Sequence, residues 1–220
     1  MTFGSRQFFL GLACSLAFFP NVINAQDSDL GNWLIYIGSK KINKTWNWHH
    51  EVQHRNYNAI GDLEQLLLRT GFGYTTEGKN QNFLLGYGYI LSENYDGLGE
   101  KISVNEHRIF QQVISQQSIT NLRFSHRFRL EQRFIESEFK MRFRYFLSAR
   151  VPLGTDSKFY LSGYNELFID LEEDLFDRNR IYGGIGYKLF EGVNIELGYM
   201  NQFLGSLSRD QINVIMLLNL

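Results

Sequence analysis

The sequence predicts an all-β protein, a transmembrane antiparallel up-and-down β-barrel of 10–12 strands that follows a cleaved signal peptide. Three observations predict it: an apolar amino-terminal segment, alternation of apolar and polar residues along the rest of the chain, and long alternating segments joined by very short connections. The composition agrees, because 15% aromatic residues and 20 glycines accompany 20% charged residues. Such a chain is too aromatic for a typical soluble domain and too polar for a helical membrane protein.

Composition and charge exclude several classes of protein. The 220-residue chain carries 22 Lys and Arg against 23 Asp and Glu, a formal net charge of −1. This balance argues against a nucleic-acid-binding protein, which needs a basic surface. The single cysteine allows neither a disulfide framework nor a cysteine-based zinc site. No phosphate-binding glycine loop or calcium loop is found, so no cofactor is predicted.

The amino-terminal segment predicts export. Arg6 is the only charged residue of positions 1–25, and the apolar run Phe8–Phe19 follows it. Twelve residues of helix span about 18 Å, too short for a bilayer core of roughly 30 Å. We therefore interpret residues 1–25 as a signal peptide cleaved after Ala25, and residues 26–220 as an outer-membrane β-barrel.

Alternation along the chain indicates strands that are polar on one face only. In Leu122–Phe134 the even positions are mostly apolar and the odd positions are mostly charged, and Phe139–Val151 repeats the pattern. Side chains of a strand point alternately to its two faces, whereas a helix would mix the two sets. A soluble barrel or sandwich would bury the apolar face; a membrane barrel turns it toward lipid. The length and Arg-rich polar face of these segments favour the membrane barrel.

Eleven alternating segments can be counted, of which Trp33–Ile37 is the weakest and Val104–Gln116 has ambiguous faces. Bacterial barrels have an even number of strands and both termini on the periplasmic side, so we expect ten or twelve. Longer connections are expected outside the cell and tight ones in the periplasm. The former lie near Asn94–Lys101 and Glu172–Asp177; the latter lie near Lys40–Lys44, Thr76–Asn80, Gly154–Ser157 and Phe190–Gly192.

Aromatic residues near the strand ends are typical of an interfacial girdle, where Tyr and Trp lie at the level of the lipid headgroups. The predicted interfacial aromatic residues are Trp33, Trp46, Trp48, Tyr74, Tyr87, Tyr89, Tyr187 and Tyr199.

The polar strand faces predict a charged barrel interior. They carry fourteen basic and six acidic residues, an inward surplus of +8. Two interpretations stay open: an Arg/Glu network that fills a narrow barrel, or a narrow pore for small solutes that prefers anions. The predicted interior charge network comprises Glu51, Arg55, Arg69, Arg108, Arg123, Arg127, Arg129, Glu131, Arg133, Arg142, Arg144, Arg150, Glu166, Arg178 and Arg180.

The five histidines do not predict a catalytic or metal site. Ser125 and His126 are neighbours on one strand and therefore face opposite ways. His50 and His54 share a face but lie about 13 Å apart, too far for one ion. An outer-membrane lipid-modifying enzyme is thus a second alternative only, and we predict a protein that is not an enzyme.

Several stretches resemble a known family. They are Gly31-Asn32-Trp33, Trp46, Arg55-Asn56-Tyr57, Arg127–Phe134, Arg142–Phe146 and Asp177–Arg180. Together they resemble the domain-of-unknown-function 2490 family of outer-membrane barrels, common in Bacteroidetes-type bacteria, over essentially the whole mature chain. The resemblance implies an outer-membrane location in a Gram-negative cell and no defined activity.

The expected partners follow from this location. The apolar strand faces would contact the lipid bilayer and lipopolysaccharide. The amphipathic segment Val214–Leu220 is where the barrel-assembly machinery would recognise the chain, although the final residue, Leu220, is not aromatic. No nucleic-acid partner is expected.

Overall fold

A computed structural model describes residues 30–78, 80–172 and 175–220. The predicted signal peptide lies outside the described residues. These residues form eleven β-strands and contain no helix long and apolar enough to cross a membrane. The strands are β1 (Gly31–Lys41), β2 (Trp46–Asn56), β3 (Leu63–Thr75), β4 (Gln81–Tyr95), β5 (Lys101–Ile119), β6 (Leu122–Ile135), β7 (Glu138–Pro152), β8 (Phe159–Asp170), β9 (Phe176–Phe190), β10 (Val193–Leu204) and β11 (Leu207–Asn219).

The strands close into one barrel, which confirms the predicted all-β fold and its barrel architecture. Each strand pairs antiparallel with the next along the chain, and β1 closes the barrel by pairing with β11. That closing pair is parallel, with Gly31 beside Gln211 and Ser39 beside Asn219. The parallel pair is a geometric consequence of an odd strand number, because the first and last strands then run the same way.

The expectation of an even number, ten or twelve, is therefore wrong. The segment Trp33–Ile37, the weakest of the eleven, belongs to a full strand of 11 residues. Its alternation is weak because its inner face also carries apolar side chains, among them Trp33 and Ile35, which pack against Met200 and Ile215 inside the barrel. The rule that bacterial barrels have an even number of strands therefore does not hold for this barrel.

An odd number also places the start of β1 and the end of β11 at opposite ends of the barrel, against the expectation that both termini lie on one side. We call one end the acidic end because its connections carry acidic residues and no Lys or Arg. The charges of the connections at the other end cancel, and we call it the basic end for the cations of its strand ends, Lys40, Lys41, Arg123, Arg150 and Lys188. The acidic end carries the connections 57–62, 96–100, 136–137, 171–175 and 205–206; the basic end carries the connections 42–45, 76–80, 120–121, 153–158 and 191–192. The two longer connections predicted from the sequence lie at the acidic end, and the four tight ones lie at the basic end.

Glycine on the inner strand faces makes room for buried rings. A Cβ atom on Gly86 would lie 2.3 Å from Cζ of Phe110, whose side chain is fully buried inside the barrel. A Cβ atom on Gly186 would lie 2.1 Å from Cζ of Tyr160. Contacts this short would force a shift of the ring or the strand, so glycine at these positions allows the interior to be filled by aromatic side chains.

The interior has two chemically different walls. An apolar wall on β1 and β8–β11 is formed by Trp33, Ile35, Ile37, Tyr164, Tyr182, Met200, Ile215 and Leu217. The opposite wall, mainly on β2–β8, carries most of the buried charged residues. The ambiguous segment Val104–Gln116 lies on this charged wall, and within it Glu106, Arg108 and Gln112 are buried. The charged wall holds the candidate site.

Candidate functional site

Strand parity brings the charged side chains together inside the barrel. In β6 the odd positions Arg129 and Glu131 face inward, and they lie opposite Arg144 and Arg142 of β7. Because both pairs stand on the inner faces of adjacent strands, the register stacks cations and carboxylates in neighbouring rungs. The alternation recognised in the sequence thus predicts which faces carry charge, and the register decides the partners.

Glu131 is the centre of the network and its side chain is 0% exposed. Its carboxylate accepts a hydrogen bond from Nη2 of Arg142 at 2.7 Å and one from Nη1 of Arg144 at 2.6 Å. Guanidinium nitrogens of Arg129 and Arg108 lie 3.6 and 3.9 Å from its oxygens. One carboxylate therefore balances part of the charge of four arginines.

Glu166 forms a second centre on β8. It accepts hydrogen bonds from Nη2 of Arg144 at 2.5 Å and from Nη2 of Arg127 at 2.7 Å. Nη1 of Arg180 lies 3.6 Å from its other oxygen. Arg144 bridges the two centres because it contacts both Glu131 and Glu166. The two centres therefore form one connected network.

Two further carboxylates form buried ion pairs on β2, β3, β5 and β6. Glu106 accepts two hydrogen bonds from Arg133, with Nε at 2.6 Å and Nη2 at 3.0 Å, and also pairs with Arg108 on its own strand. Glu51 pairs with Arg69 at 2.5 Å across the β2–β3 register. Planar guanidinium groups suit such two-point contacts with carboxylates.

Not every arginine is neutralised by a carboxylate. Arg55 donates hydrogen bonds to the amide oxygens of Gln53 and Gln65, and its Cζ atom lies 3.8 Å from the ring centre of Trp33. Arg180, which reaches Glu166 only at 3.6 Å, also lies over Trp33, at 4.8 Å, and donates from Nε to Gln202 at 2.7 Å. These partners orient the guanidinium groups without removing their charge.

Side chains fill the barrel at this level. The exposed fractions are 1% for Arg129, 0% for Glu131, 0% for Gln211 and 0% for Asn213, although all four point inward. An inward side chain beside a water-filled channel would keep exposed surface. These values therefore describe a packed interior, of the kind expected where a small barrel is only wide enough for its own side chains.

The structure brings together most of the residues predicted to line the interior. Residues of the predicted network that lie in the interior, buried or half-buried, are Glu51, Arg55, Arg69, Arg108, Arg127, Arg129, Glu131, Arg133, Arg142, Arg144, Glu166 and Arg180. Arg123 has the same parity as the inward residues of β6 but lies exposed at the basic end. Arg150 and Arg178 stand toward the ends, where their side chains are 42% and 28% exposed. Parity identifies the face of a residue but not its depth.

The buried charge is more nearly balanced than the predicted surplus of +8. Seven arginines and five glutamates are buried, which leaves a surplus of two. The buried residues are Arg55, Arg69, Arg108, Arg129, Arg142, Arg144 and Arg180, against Glu51, Glu106, Glu131, Glu166 and Glu196. Several of the other cations of the sequence count, such as Lys188, lie near the ends and reach solvent.

Trp33 differs from its predicted position. It was expected among the interfacial aromatic residues, but it points into the barrel and is 2% exposed. Its ring packs on the apolar wall and under the guanidinium groups of Arg55 and Arg180, where cation–π contacts stabilise it. The other predicted interfacial residues have exposed or half-buried rings on the outer face: Trp46, Trp48, Tyr74, Tyr87, Tyr89, Tyr187 and Tyr199.

Sequence reasoning missed the inward amides and the apolar wall. Gln112 accepts two hydrogen bonds from Arg129, at 2.9 and 2.6 Å. The amide oxygens of Gln53 and Gln65 likewise accept hydrogen bonds from Arg55. The inward amides could have been found from glutamines that lie on the same strand face as an arginine. The apolar wall had a weaker signal, the segment Trp33–Ile37 that is apolar on both faces.

An ion pair at the acidic end holds the connection 57–62. Nζ of Lys101 lies 2.6 Å from Oδ1 of Asp62, and the Tyr95 hydroxyl donates to the same carboxylate at 3.0 Å. The hydrogen bond from the Lys101 ammonium holds the pKa of the Asp62 carboxyl below its ordinary value. The connection 57–62 is thus held by β4 and β5, the two strands that the connection 96–100 joins.

Together these features define a class of protein, a closed β-barrel with an ion-paired interior and an apolar outer face. The chain belongs to the DUF2490 family, described as a protein of unknown function, whose model matches residues 30–213. This confirms the resemblance seen in the sequence. An uncharacterized protein of Methylorubrum extorquens is 30% identical over 162 residues, 69% of this chain and 69% of that relative. No solved structure matches the chain.

Proposed function

We propose that this protein is an integral outer-membrane β-barrel whose interior is closed by its Arg/Glu network, so that it spans the membrane without conducting solutes. Its role would be carried by its ends and outer face, in contact with the lipid bilayer and lipopolysaccharide. The observation that carries the proposal is the inverted distribution of polarity: charged residues inside and large apolar residues outside.

Exposure of side chains on single strands illustrates this inversion. On β3 and β4, Phe72 and Leu85 are 58% and 60% exposed on the outer face, whereas Arg69 and Leu84 on the inner face are buried. A soluble protein rarely leaves so much contiguous apolar surface in water. In a bilayer the same surface is satisfied by lipid, and closure of the barrel satisfies every strand edge.

The outer surface supports a lipid environment in two further ways. The rings of Trp46 and Tyr74 pack edge to face near the basic end, at 5.5 Å between centres, as expected for aromatic residues at an interface. Beside them an apolar depression of about 510 Å³ extends across the outer face of the neighbouring strands. Acyl chains would fill such a depression.

The carboxyl-terminal strand suggests an orientation. β11 ends at the basic end of the barrel, and assembly machinery acting from the periplasm would recognise the carboxyl-terminal end of this strand. We therefore assign the basic end to the periplasm and the acidic end to the cell exterior. The length of the connections does not decide the orientation of the barrel, because long connections occur at both ends.

Cell fractionation tests the location. The protein, expressed with its own leader in a Gram-negative host, is expected in the outer-membrane fraction, and its mobility on gels should change on boiling, as for folded barrels. Recovery as a soluble periplasmic protein would contradict the proposal.

Planar bilayer recording tests the closed interior. Purified protein is expected to insert without stable conductance steps, because Arg129 and Glu131 fill the mid-level of the barrel. Stable steps with anion preference would instead establish the alternative, a narrow anion pore. An open porin reconstituted in the same lipid serves as the positive control.

A further inference from the structure

A small polar cavity lies inside the barrel, toward the acidic end. Its volume is about 60 Å³, and eight arginine side chains from β2, β3, β5, β6, β7 and β9 line it, together with Gln65 and Phe168. A single water occupies about 30 Å³ in the liquid, so the cavity has room for about two waters or one small anion. A tetrahedral oxyanion, with five non-hydrogen atoms, is of this size.

The charges around this cavity do not balance. Seven of the eight arginines form ion pairs with five carboxylates of the described residues, those of Glu51, Glu106, Glu131, Glu166 and Asp177. Among the described residues, the eight arginine charges at the cavity therefore exceed the charges of their carboxylate partners by three. Two of these carboxylates, moreover, are shared with Arg127 and Arg129, which do not line it. Charges buried without a counter-charge are strongly unfavourable, so the cavity favours an anion.

Individual donors at the cavity are also incompletely used. In the described part of the chain, Arg55 has glutamine partners but no carboxylate partner. The Arg69 side chain is only 3% exposed, and its Nε atom has no hydrogen-bond partner among the same residues. Arg180 makes its shortest polar contact with Gln202 and reaches Glu166 only at 3.6 Å. These three arginines converge on one cavity from three strands.

We propose that this cavity is a binding site for a small tetrahedral oxyanion of the phosphate or sulfate class. Guanidinium groups present pairs of N–H donors that match the spacing of oxyanion oxygens, and groups from several strands can serve several oxygens at once. The bound anion would supply the negative charge that the network lacks and would link β2 and β3 to β9. The inference rests on the proposed closed interior, because in an open channel the cavity would be filled by exchanging solvent.

Isothermal titration of inorganic phosphate into purified, folded protein tests the site. The protein is kept in detergent and in a buffer free of phosphate and sulfate. Saturable binding at one site is expected for the wild type. Arg55→Gln removes a cavity cation that has only amide partners, and should weaken binding about tenfold or more, as expected for the loss of a charge-assisted contact.

The matched control is Arg209→Gln. Arg209 also lies at the acidic end, but it pairs with Glu64 at 2.6 Å and does not line the cavity. Binding in this variant should stay within about twofold of the wild type. If Arg55→Gln fails to fold, Arg178→Gln takes its place, because this cavity residue stands at the rim and its 28% exposed side chain tolerates change better.

Three results would overturn the inference. They are absence of saturable phosphate and sulfate binding by the wild type, unchanged binding in the folded cavity variants, and binding of chloride as tight as that of phosphate. Bilayer recording on the same preparation separates the two proposals. A protein that conducts yet binds phosphate refutes the closed interior only, and one that neither conducts nor binds phosphate refutes the anion site only.

Discussion

The buried carboxylate of Glu131 gives the sharpest prediction about stability. Glu131→Gln keeps the shape of the side chain but removes the charge that faces Arg142 and Arg144, whose nitrogens lie 2.7 and 2.6 Å away. Two short charge-assisted hydrogen bonds lose their ionic character, and four guanidinium groups lose a shared counter-charge. Removing one partner of a buried ion pair costs about 3–5 kcal/mol, and we expect a loss in this range.

The assay is urea unfolding of protein folded into lipid vesicles, followed by tryptophan fluorescence, to which the buried Trp33 contributes. The matched control is Glu138→Gln, because the Glu138 side chain is 67% exposed and lies 3.6 Å from Lys140. Its expected effect is within about 0.5 kcal/mol, as is usual for exposed pairs. If Glu131→Gln unfolds with a free energy within about 1 kcal/mol of wild type, the network is not the source of stability argued here.

Three other predictions follow from the same structure. Gly86→Ala should destabilise the barrel by about 1–3 kcal/mol in the same unfolding assay, because the new methyl group meets the ring of Phe110, and Phe110→Leu should partly restore stability. Epitope tags placed directly before Leu30 and directly after Leu220 should be accessible from opposite sides of the membrane in intact and permeabilised cells; accessibility from the same side would contradict eleven strands. Asp62→Asn should speed protease cleavage within the connection 57–62 at neutral pH. Because the pKa of Asp62 is lowered in the folded protein, its pairing with Lys101 stabilises the connection at pH values above the ordinary carboxyl pKa. This stabilisation is lost as the pH falls through the lowered pKa. At neutral pH, cleavage of the wild type should therefore be slower than cleavage of the variant.

Much of this architecture could be predicted from the sequence because alternation is a local property. The even and odd positions of Leu122–Phe134 already separate the outer face from the inner one, and the register of β6 with β7 agrees with that separation. The sorting of connections to two ends follows in turn, since each strand reverses the direction of the chain. These features need no knowledge of distant contacts.

Other features depend on contacts between residues far apart in the sequence. Trp33 looks like an interfacial residue until Arg55 and Arg180 are placed over its ring. Closure of the barrel pairs the first described strand, β1, with the last, β11, and neither strand alone indicates an odd number of strands. The sharing of Arg144 between Glu131 and Glu166 likewise depends on the positions of three strands. Depth in the barrel, which separates Arg123 from Arg129, is also a property of the assembled sheet.

Cysteine labelling in native outer membranes tests the central claim, a membrane barrel with an apolar outer face and a packed interior. The predicted mature chain has no cysteine, so single substitutions report without background. Gly61→Cys in a connection should react with a water-soluble maleimide. Leu85→Cys on the outer face and Asn213→Cys in the interior should resist it until the protein is unfolded in denaturant. Labelling of Leu85→Cys in intact membranes would contradict a lipid-facing surface, and labelling of Asn213→Cys would contradict a closed interior.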